Sequence, residues 1–470
     1  MKTTKPEKTM KDIMGKIHVL AIFGTRPEAI KMAPLVRALQ QNEDMECVVC
    51  VTAQHREMLD QVMDIFGIQA NYDLDIMEPN QTLATITEKV LHGLDRVLDE
   101  TLPDLVLVHG DTTTTLAAAL AAFYHKIPVG HVEAGLRTFE KYSPFPEEIN
   151  RRLVGQIASL HFTPTIRNAL NLAHERIEKG VYVTGNTVVD AIRMTVNPDY
   201  VFRDETLRNL DFRNNRVILL TAHRRENYGE PMENIFRAVV RLARKYEDVH
   251  FVYPVHMSPY VRGKAHEMLD RVPRVHLIDP LPVDEMHNLI YRCFMVMTDS
   301  GGLQEEAPGL GKPVLVLRRD TERPEAVEAG TVKLAGVDQK SIFDMASQLL
   351  DDRIAYVKMA RAVNPYGDGK ASERIVQAIA HYFAFTRERP ETFGLPDIYD
   401  WPTAAELRER MEQQQAEEEA KKDQDPDIPD EEKPIDFETF DAAAFVKSIK
   451  EEYEKQKGGA RPWSYTDYLL

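Results

Sequence analysis

The stretch Asp104–Val132, DLVLVHGDTTTTLAAALAAFYHKIPVGHV, opens on an apolar run, crosses an alanine-rich segment and returns to a second apolar run. A continuous apolar run fits a strand buried on both faces, and the alanine-rich segment between is long enough for a helix. Strand, helix, strand is the unit of a parallel sheet. The unit recurs on both sides. Before it come IHVLAIF, PEAIKMAPLVRALQ, CVVCVT and REMLDQVMDIFG; after the polar stretch NPDYVFRDETLRNLDFRNNR the alternation restarts at VILLTAH and continues through VHFVYPV, VHLIDP, FMVMTDS and KPVLVLR. The expected fold is α/β, with two doubly wound domains, 16–190 and 191–364, and a linker within 191–216. In such sheets ligands bind beyond the carboxyl ends of the strands, so a cleft between the domains is the expected site.

The chain of 470 residues is 43% hydrophobic and 28% charged, with a net charge of −17, which argues against a broad nucleic-acid or anionic-membrane surface. Three cysteines, Cys47, Cys50 and Cys293, make no disulfide framework, and the C-x-x-C of the first two lies inside an apolar strand run. The basic lead MKTTKPEKTMKDIMGK has no apolar core of the kind a signal peptide needs, and no apolar run approaches the roughly 18 residues of a membrane span. A cytoplasmic protein is expected. Residues 401–470 hold 19 acidic and ten basic side chains and end on the aromatic GGARPWSYTDYLL, so 386–470 is expected to be an acidic extension.

No G-x-G-x-x-G follows a strand, and Gly311-Lys312 is followed by Pro313, so neither a dinucleotide fingerprint nor a P-loop is expected. Charged residues gather instead at strand ends. GTRPEAIKMAPL sets Arg26 and Lys31 about a helix start at Pro27, a pairing that suits a diphosphate or plain surface charge. HGDTTTT places Asp111 where it is either a site carboxylate or a helix cap. GHVEAGLRTFEKYSPFPEEINRR collects Glu133, Glu147 and Glu148 with Arg137, Arg151 and Arg152, as a site or as a solvated loop. TAHRRENYG offers His223 and Arg224, SGGLQEEAPGLG opens a helix with Ser300, Gly301 and Gly302 as an anion cradle or a simple cap, and RRDTERPEA offers Arg323 and Glu325. All of them follow strands, so the topology sends them to one cleft. The DLD at Asp73–Asp75 reads as a strand edge, and no metal is expected.

Together FGTRPEAIKMAPL, TAQHREM, VHGDTTTT, GHVEAGLRT, PFPEEINRR, TAHRREN, YPVHMSP, TDSGGLQEEAPGLGKPVLVLR and TERPEA resemble, in collinear order over about Lys16 to Phe385, the bacterial non-hydrolysing UDP-N-acetylglucosamine 2-epimerases. The resemblance implies a GT-B architecture whose last helix, about 365–385, crosses back to the first domain, and a homodimer. It implies interconversion of UDP-GlcNAc and UDP-ManNAc without cofactor or metal, supplying precursors for surface polysaccharide. In the family's route UDP is eliminated to give 2-acetamidoglucal and added back with protonation on the opposite face. By motif, Asp111, Glu133 and Glu147 match the catalytic carboxylates and His223 the active-site histidine, with acid and base roles unassigned. Arg26, Lys31, His223, Ser300, Gly301, Gly302 and Arg323 match the diphosphate contacts and Glu306 the ribose contact, while Met286 stands near the uracil where many relatives carry an aromatic.

Some bacterial members bind a second UDP-GlcNAc as activator. Of that site this chain keeps Gln54 but has Glu57 for a glutamine and Asn80 for an arginine, with Arg137, Arg224 and His256 nearby in the match, so weak or absent activation is expected. A hydrolysing epimerase, an epimerase of another UDP-2-acetamido sugar, a GT-B glycosyltransferase and a nucleotide-sugar-binding scaffold are the competing readings. The extension has no counterpart in the family, and its partner is unidentified.

Overall fold

The structure, a computed structural model, describes residues 15–53, 56–78, 81–321 and 323–394, with the backbone alone for 56–58. Gln54, Asn80, the Glu57 side chain and everything beyond 394 therefore lie outside the described residues. Among the described residues, 15–77 and 86–394 form one compact unit, to which the sheets and sites below belong. Described residues 78 and 81–85 fall in a second unit and include the start of helix Leu83–Thr101, where Thr85 N donates to Thr82 Oγ1 at 3.1 Å.

Seven strands make the first sheet: β1 Ile17–Phe23, β2 Met45–Val51, β3 Tyr72–Asp73, β4 Leu105–His109, β5 Val129–Val132, β6 Leu160–Thr163 and β7 Val181–Val183, in the order β3-β2-β1-β4-β5-β6-β7. Six make the second: β8 Arg216–Thr221, β9 Val249–Pro254, β10 Val275–Ile278, β11 Met295–Thr298, β12 Val314–Val316 and β13 Val332–Leu334, in the order β10-β9-β8-β11-β12-β13. Every pairing in both sheets is parallel. Successive residues serve opposite faces: Val19, Ala21 and Phe23 of β1 join one core layer and Leu20 and Ile22 the other, and in β8 Ile218 and Leu220 oppose Val217 and Leu219. That two-sided burial is why the strands read as unbroken apolar runs.

The strand order reverses between β1 and β4 in the first sheet and between β8 and β11 in the second. Chains leaving neighbouring strands in opposite directions open a crevice at that point. Arg26 follows β1, Asp111 follows β4, His223 follows β8 and Ser300 follows β11, so the singled-out residues flank both crevices.

The domains are joined by structure rather than by a polar linker. Within 191–216 lie the end of helix Thr187–Thr195, the short helix Glu205–Asn209 and the buried Phe202 and Leu207. The helix Thr187–Thr195 serves both domains: Ala191 packs in the core beneath β1, and Ile192 packs with Val217 and Leu219 of β8. The last helix among the described residues, Ala371–Tyr382, returns to the first domain and places Ile375, Val376, Ala378 and Ile379 in the core with Met32, Leu35, Val36 and Leu39. Its N-terminus is capped from outside, Asp190 accepting from Ser372 N at 2.8 Å and Ala371 N at 3.2 Å. Two Rossmann-like domains with a returning terminal helix constitute the GT-B arrangement. Residues 386–394, placed in the extension by sequence, hold to the first domain: Phe393 N donates to Val183 O at 2.9 Å and Arg389 to Val181 O at 3.0 Å.

Candidate active site

The loop after β1 is built around a buried carboxylate. Glu28 accepts from Gly24 N (3.0 Å), Thr25 N (2.7 Å), Thr112 Oγ1 (2.6 Å) and Thr115 Oγ1 (3.0 Å), tying this loop to the one that carries Asp111. Only glycine fits at 24, because a Cβ there would stand 1.9 Å from Thr52 Oγ1. Arg26 then opens its helix and donates to Leu281 O of the second domain at 3.3 Å. Burial draws its pKa down, with Glu306 pulling the other way. Ser300 stands at the N-cap position of helix Gly301–Gly309 without a side-chain cap bond, and a Cβ on Gly302 would lie 3.2 Å from Glu306 Oε1. His287 Nε2 stands 3.7 Å from Glu306 Oε2, and Met286 is half-buried on the same helix as His287.

Asp111 and Glu133 stand at the ends of the adjacent strands β4 and β5 and are treated in opposite ways. The Asp111 side chain keeps 28% of its surface exposed, with Arg151 NH2 3.3 Å from its carboxylate. Burial nevertheless pushes its pKa up to about 6 against Arg151, and the carboxylates of Glu133 and Glu147 push the same way. Glu133, 9% exposed, sits at φ 63°, a left-handed backbone that costs a side-chain-bearing residue energy and tends to mark functional positions. Its Oε2 meets Lys31 Nζ in a short ion pair, accepts from Asn186 Nδ2 at 2.9 Å and lies 3.7 Å from His109 Nε2. Burial would raise this pKa, but Lys31 and His109 outweigh it and draw it down to about 2. His109 is itself pulled to about 4, chiefly by burial, so it is neutral near pH 7.

The network continues into the second domain. Lys31 Nζ is 3.9 Å from Glu305 Oε2, which also accepts from Asn186 Nδ2 at 2.9 Å, and Arg323 Nε donates to Glu305 Oε1 at 2.5 Å. Burial opposes the charge on Lys31, yet Glu133 and Glu305 hold its pKa above the ordinary value. Two cations and two carboxylates thus balance where the domains meet.

His223 follows β8 and is oriented by the fully buried Asp299. The Asp299 Oδ2 accepts from His223 N and Arg224 N, both at 2.8 Å, and from Asn227 at 3.1 Å, while Oδ1 lies 3.2 Å from His223 Nδ1. Burial draws the His223 pKa down despite Asp299, and the parallel ring of His256, with centroids 5.3 Å apart, acts in the same direction as burial.

The structure therefore gathers Arg26, Lys31, Asp111, Glu133, Arg323 and Glu306 where the two domains meet, while His223 and Ser300 follow the central strands β8 and β11 of the second sheet. Glu147 is the first residue of helix Glu147–Ile157, near enough to Asp111 to raise its pKa. Its neighbour Glu148 is turned inward as a structural acceptor for Thr138 N and Phe139 N. The Arg137 side chain is fully enclosed and makes two 2.8 Å bonds to Glu175. Glu28, Asn186, Asp299 and Glu305 were missed by sequence reasoning. Among the described residues no group of three or more His, Cys, Asp or Glu side chains could hold a metal, and no helix is long and apolar enough to cross a membrane.

Comparison with known proteins places these features among relatives. The family profile described as UDP-N-acetylglucosamine 2-epimerase matches residues 37–380. The UDP-N-acetylglucosamine 2-epimerase of Bacillus subtilis is 55% identical over 381 residues, covering 81% of this chain and 99% of that protein. Among solved structures, the S. aureus MnaA–UDP co-structure is 50% identical with a TM-score of 0.73, covering 80% of this chain and all of that one. The UDP-GlcNAc 2-epimerase of Neisseria meningitidis bound to UDP-GlcNAc is likewise 50% identical, with a TM-score of 0.71 over 77% of this chain and 99% of that one.

Proposed function

The chain belongs to the UDP-N-acetylglucosamine 2-epimerase family, and from that premise we propose that it interconverts UDP-GlcNAc and UDP-ManNAc without hydrolysis. The observation that carries this reading is the pair Asp111 and Glu133, neighbours at strand ends whose environments push their pKa values to about 6 and about 2. Two carboxylates separated in this way are a base and an acid ready for one reaction. Glu133, ionised, takes the proton from sugar carbon 2; the C1–O bond breaks with its electrons passing to UDP, and a C1=C2 double bond forms. Asp111 delivers its proton to carbon 2 from the opposite face while a UDP oxygen re-forms the bond to C1. Solvent then resets both carboxyls.

Each partner of the leaving group has a role. Lys31, Arg323, Arg26 and the N–H groups after Ser300 receive the diphosphate, whose charge grows as the bond breaks. His223, with Nδ1 turned to the Asp299 carboxylate, can donate through Nε2 to the same oxygens when its ring is protonated, a state that burial opposes and Asp299 and an arriving diphosphate favour. The UDP and UDP-GlcNAc held by the homologues support a nucleotide sugar as ligand.

Incubation with UDP-GlcNAc in heavy water, followed by NMR, tests the reading. Deuterium should enter carbon 2 of both epimers with UDP still attached at equilibrium. Stoichiometric release of UDP and free ManNAc would establish a hydrolysing enzyme instead.

A further inference from the structure

Asn186 is the residue on which the two halves of the site are tied. It is 3% exposed, and each polar atom of its carboxamide is committed. The Oδ1 accepts from Val188 N at 3.0 Å, capping helix Thr187–Thr195. The Nδ2 donates its two protons to Glu133 Oε2 of the first domain and to Glu305 Oε2 of the second, each at 2.9 Å. The orientation of the amide is dictated by chemistry: a flip would turn Oδ1 toward two carboxylates and the amino group toward an N–H. Its backbone is equally fixed, Asn186 N donating to Tyr366 O at 2.6 Å.

All the contacts on the Glu133 carboxylate fall on one oxygen. Lys31, Asn186 and His109 converge on Oε2, while Oε1 carries no hydrogen bond among the described residues. Of the three, Lys31 is a cation that an arriving diphosphate recruits, and His109 stands beyond hydrogen-bond distance. Asn186, with no charge to lose to a ligand, is the contact that persists.

We propose that Asn186 is a positioning residue of the reaction, pinning Glu133 by Oε2 so that Oε1 handles the carbon 2 proton, and holding that carboxylate in register with Glu305 of the opposite domain. The inference rests on the epimerase reading above. Misplacing a catalytic group by a fraction of an ångström slows the chemical step more than it weakens binding.

The rival account is that Asn186 merely caps a helix, and one substitution separates the two. Asn186→Ser keeps an oxygen that can accept from Val188 N but removes both donors. A positioning role predicts a cooperatively folded protein with a lowered urea midpoint, since two bonds to buried carboxylates are lost, kcat lowered roughly 10- to 100-fold, KM within about threefold, and a larger isotope effect with substrate deuterated at carbon 2, since proton abstraction becomes slower. The isosteric Asn186→Asp, which keeps the cap, removes the donors and adds a carboxylate, repeats the test without leaving a void and is expected to lose at least as much kcat. Wild-type kcat and isotope effect in a cooperatively folded Asn186→Ser would overturn the positioning role while leaving the epimerase reading intact. A wild-type protein that neither exchanges the proton nor epimerises would overturn that reading, and the proposal with it.

Discussion

Asp111 and Glu133 lie one strand apart, yet what surrounds each sets its task. Glu133→Gln and Asp111→Asn should each lower kcat by about 10²-fold or more with UDP affinity by calorimetric titration within a few-fold, because each removes a proton-transferring group and neither is a diphosphate cation. Because the reaction in either direction starts from a pair holding one proton, kcat/KM should fall along the same limb above about pH 6, where Asp111 loses its proton, in both directions. Arg151 favours the ionised form of Asp111, so Arg151→Gln should move that limb to higher pH; a limb unmoved, or moved down, would remove Asp111 from the acid's role. At this scale the sequence reported the chemistry of a residue but not its company. Lys31, expected at a diphosphate, is paired with Glu133, 102 positions away, and Asn186, an ordinary helix-capping residue by type, reaches Glu305, 119 positions on. No local pattern encodes such pairings, because the first arises only when the segments after β1 and β5 meet at the edge of the first sheet and the second only when the two domains meet.

Elements were more legible than their contacts. Strands buried on both faces announce themselves as apolar runs, and β1, β2, β4, β5, β8, β9, β10, β11 and β12 all coincide with such runs. The two-residue β3 is too short to stand out, β6 and β13 are interrupted by His161 and Lys333, and helix Thr187–Thr195 was split by the boundary at 190 because its two faces feed two different cores. Arg137 shows the same limit: read as one cation in a charged loop, it is the partner of Glu175 at the end of helix Ile166–His174. Tightness at the turns is also testable. Gly24→Ala forces a Cβ against Thr52 and against the Thr52–Thr114 hydroxyl pair at 3.2 Å, so it should destabilise the protein by about 1–3 kcal/mol in urea unfolding. An unchanged midpoint would mean that the loop after β1 has slack the packing does not suggest.

For the molecule as a whole, the first domain reaches further along the chain than composition suggested. A chain ending at Gly394 keeps Phe393 against Val181 and Val183, with the Arg374 guanidinium 5.5 Å from its ring, and should retain full activity. A chain ending at Arg387 loses that packing and the Arg389 bond to β7, and should show a lower urea midpoint than the longer one; equal midpoints would show that residues 388–394 contribute nothing. The helix Thr187–Thr195 carries a consequence for how the molecule comes apart. With Ala191 in one core, Ile192 in the other and Asp190 capping the helix that returns from the second domain to the first, neither domain can melt without stripping the other of part of its interior. Two-domain chains usually lose two-state behaviour, but here the scanning calorimeter should record a single endotherm whose van't Hoff and calorimetric enthalpies agree. Ile192→Ala should displace that one peak downward as a unit, whereas two resolved peaks would mean that the halves melt as independent bodies.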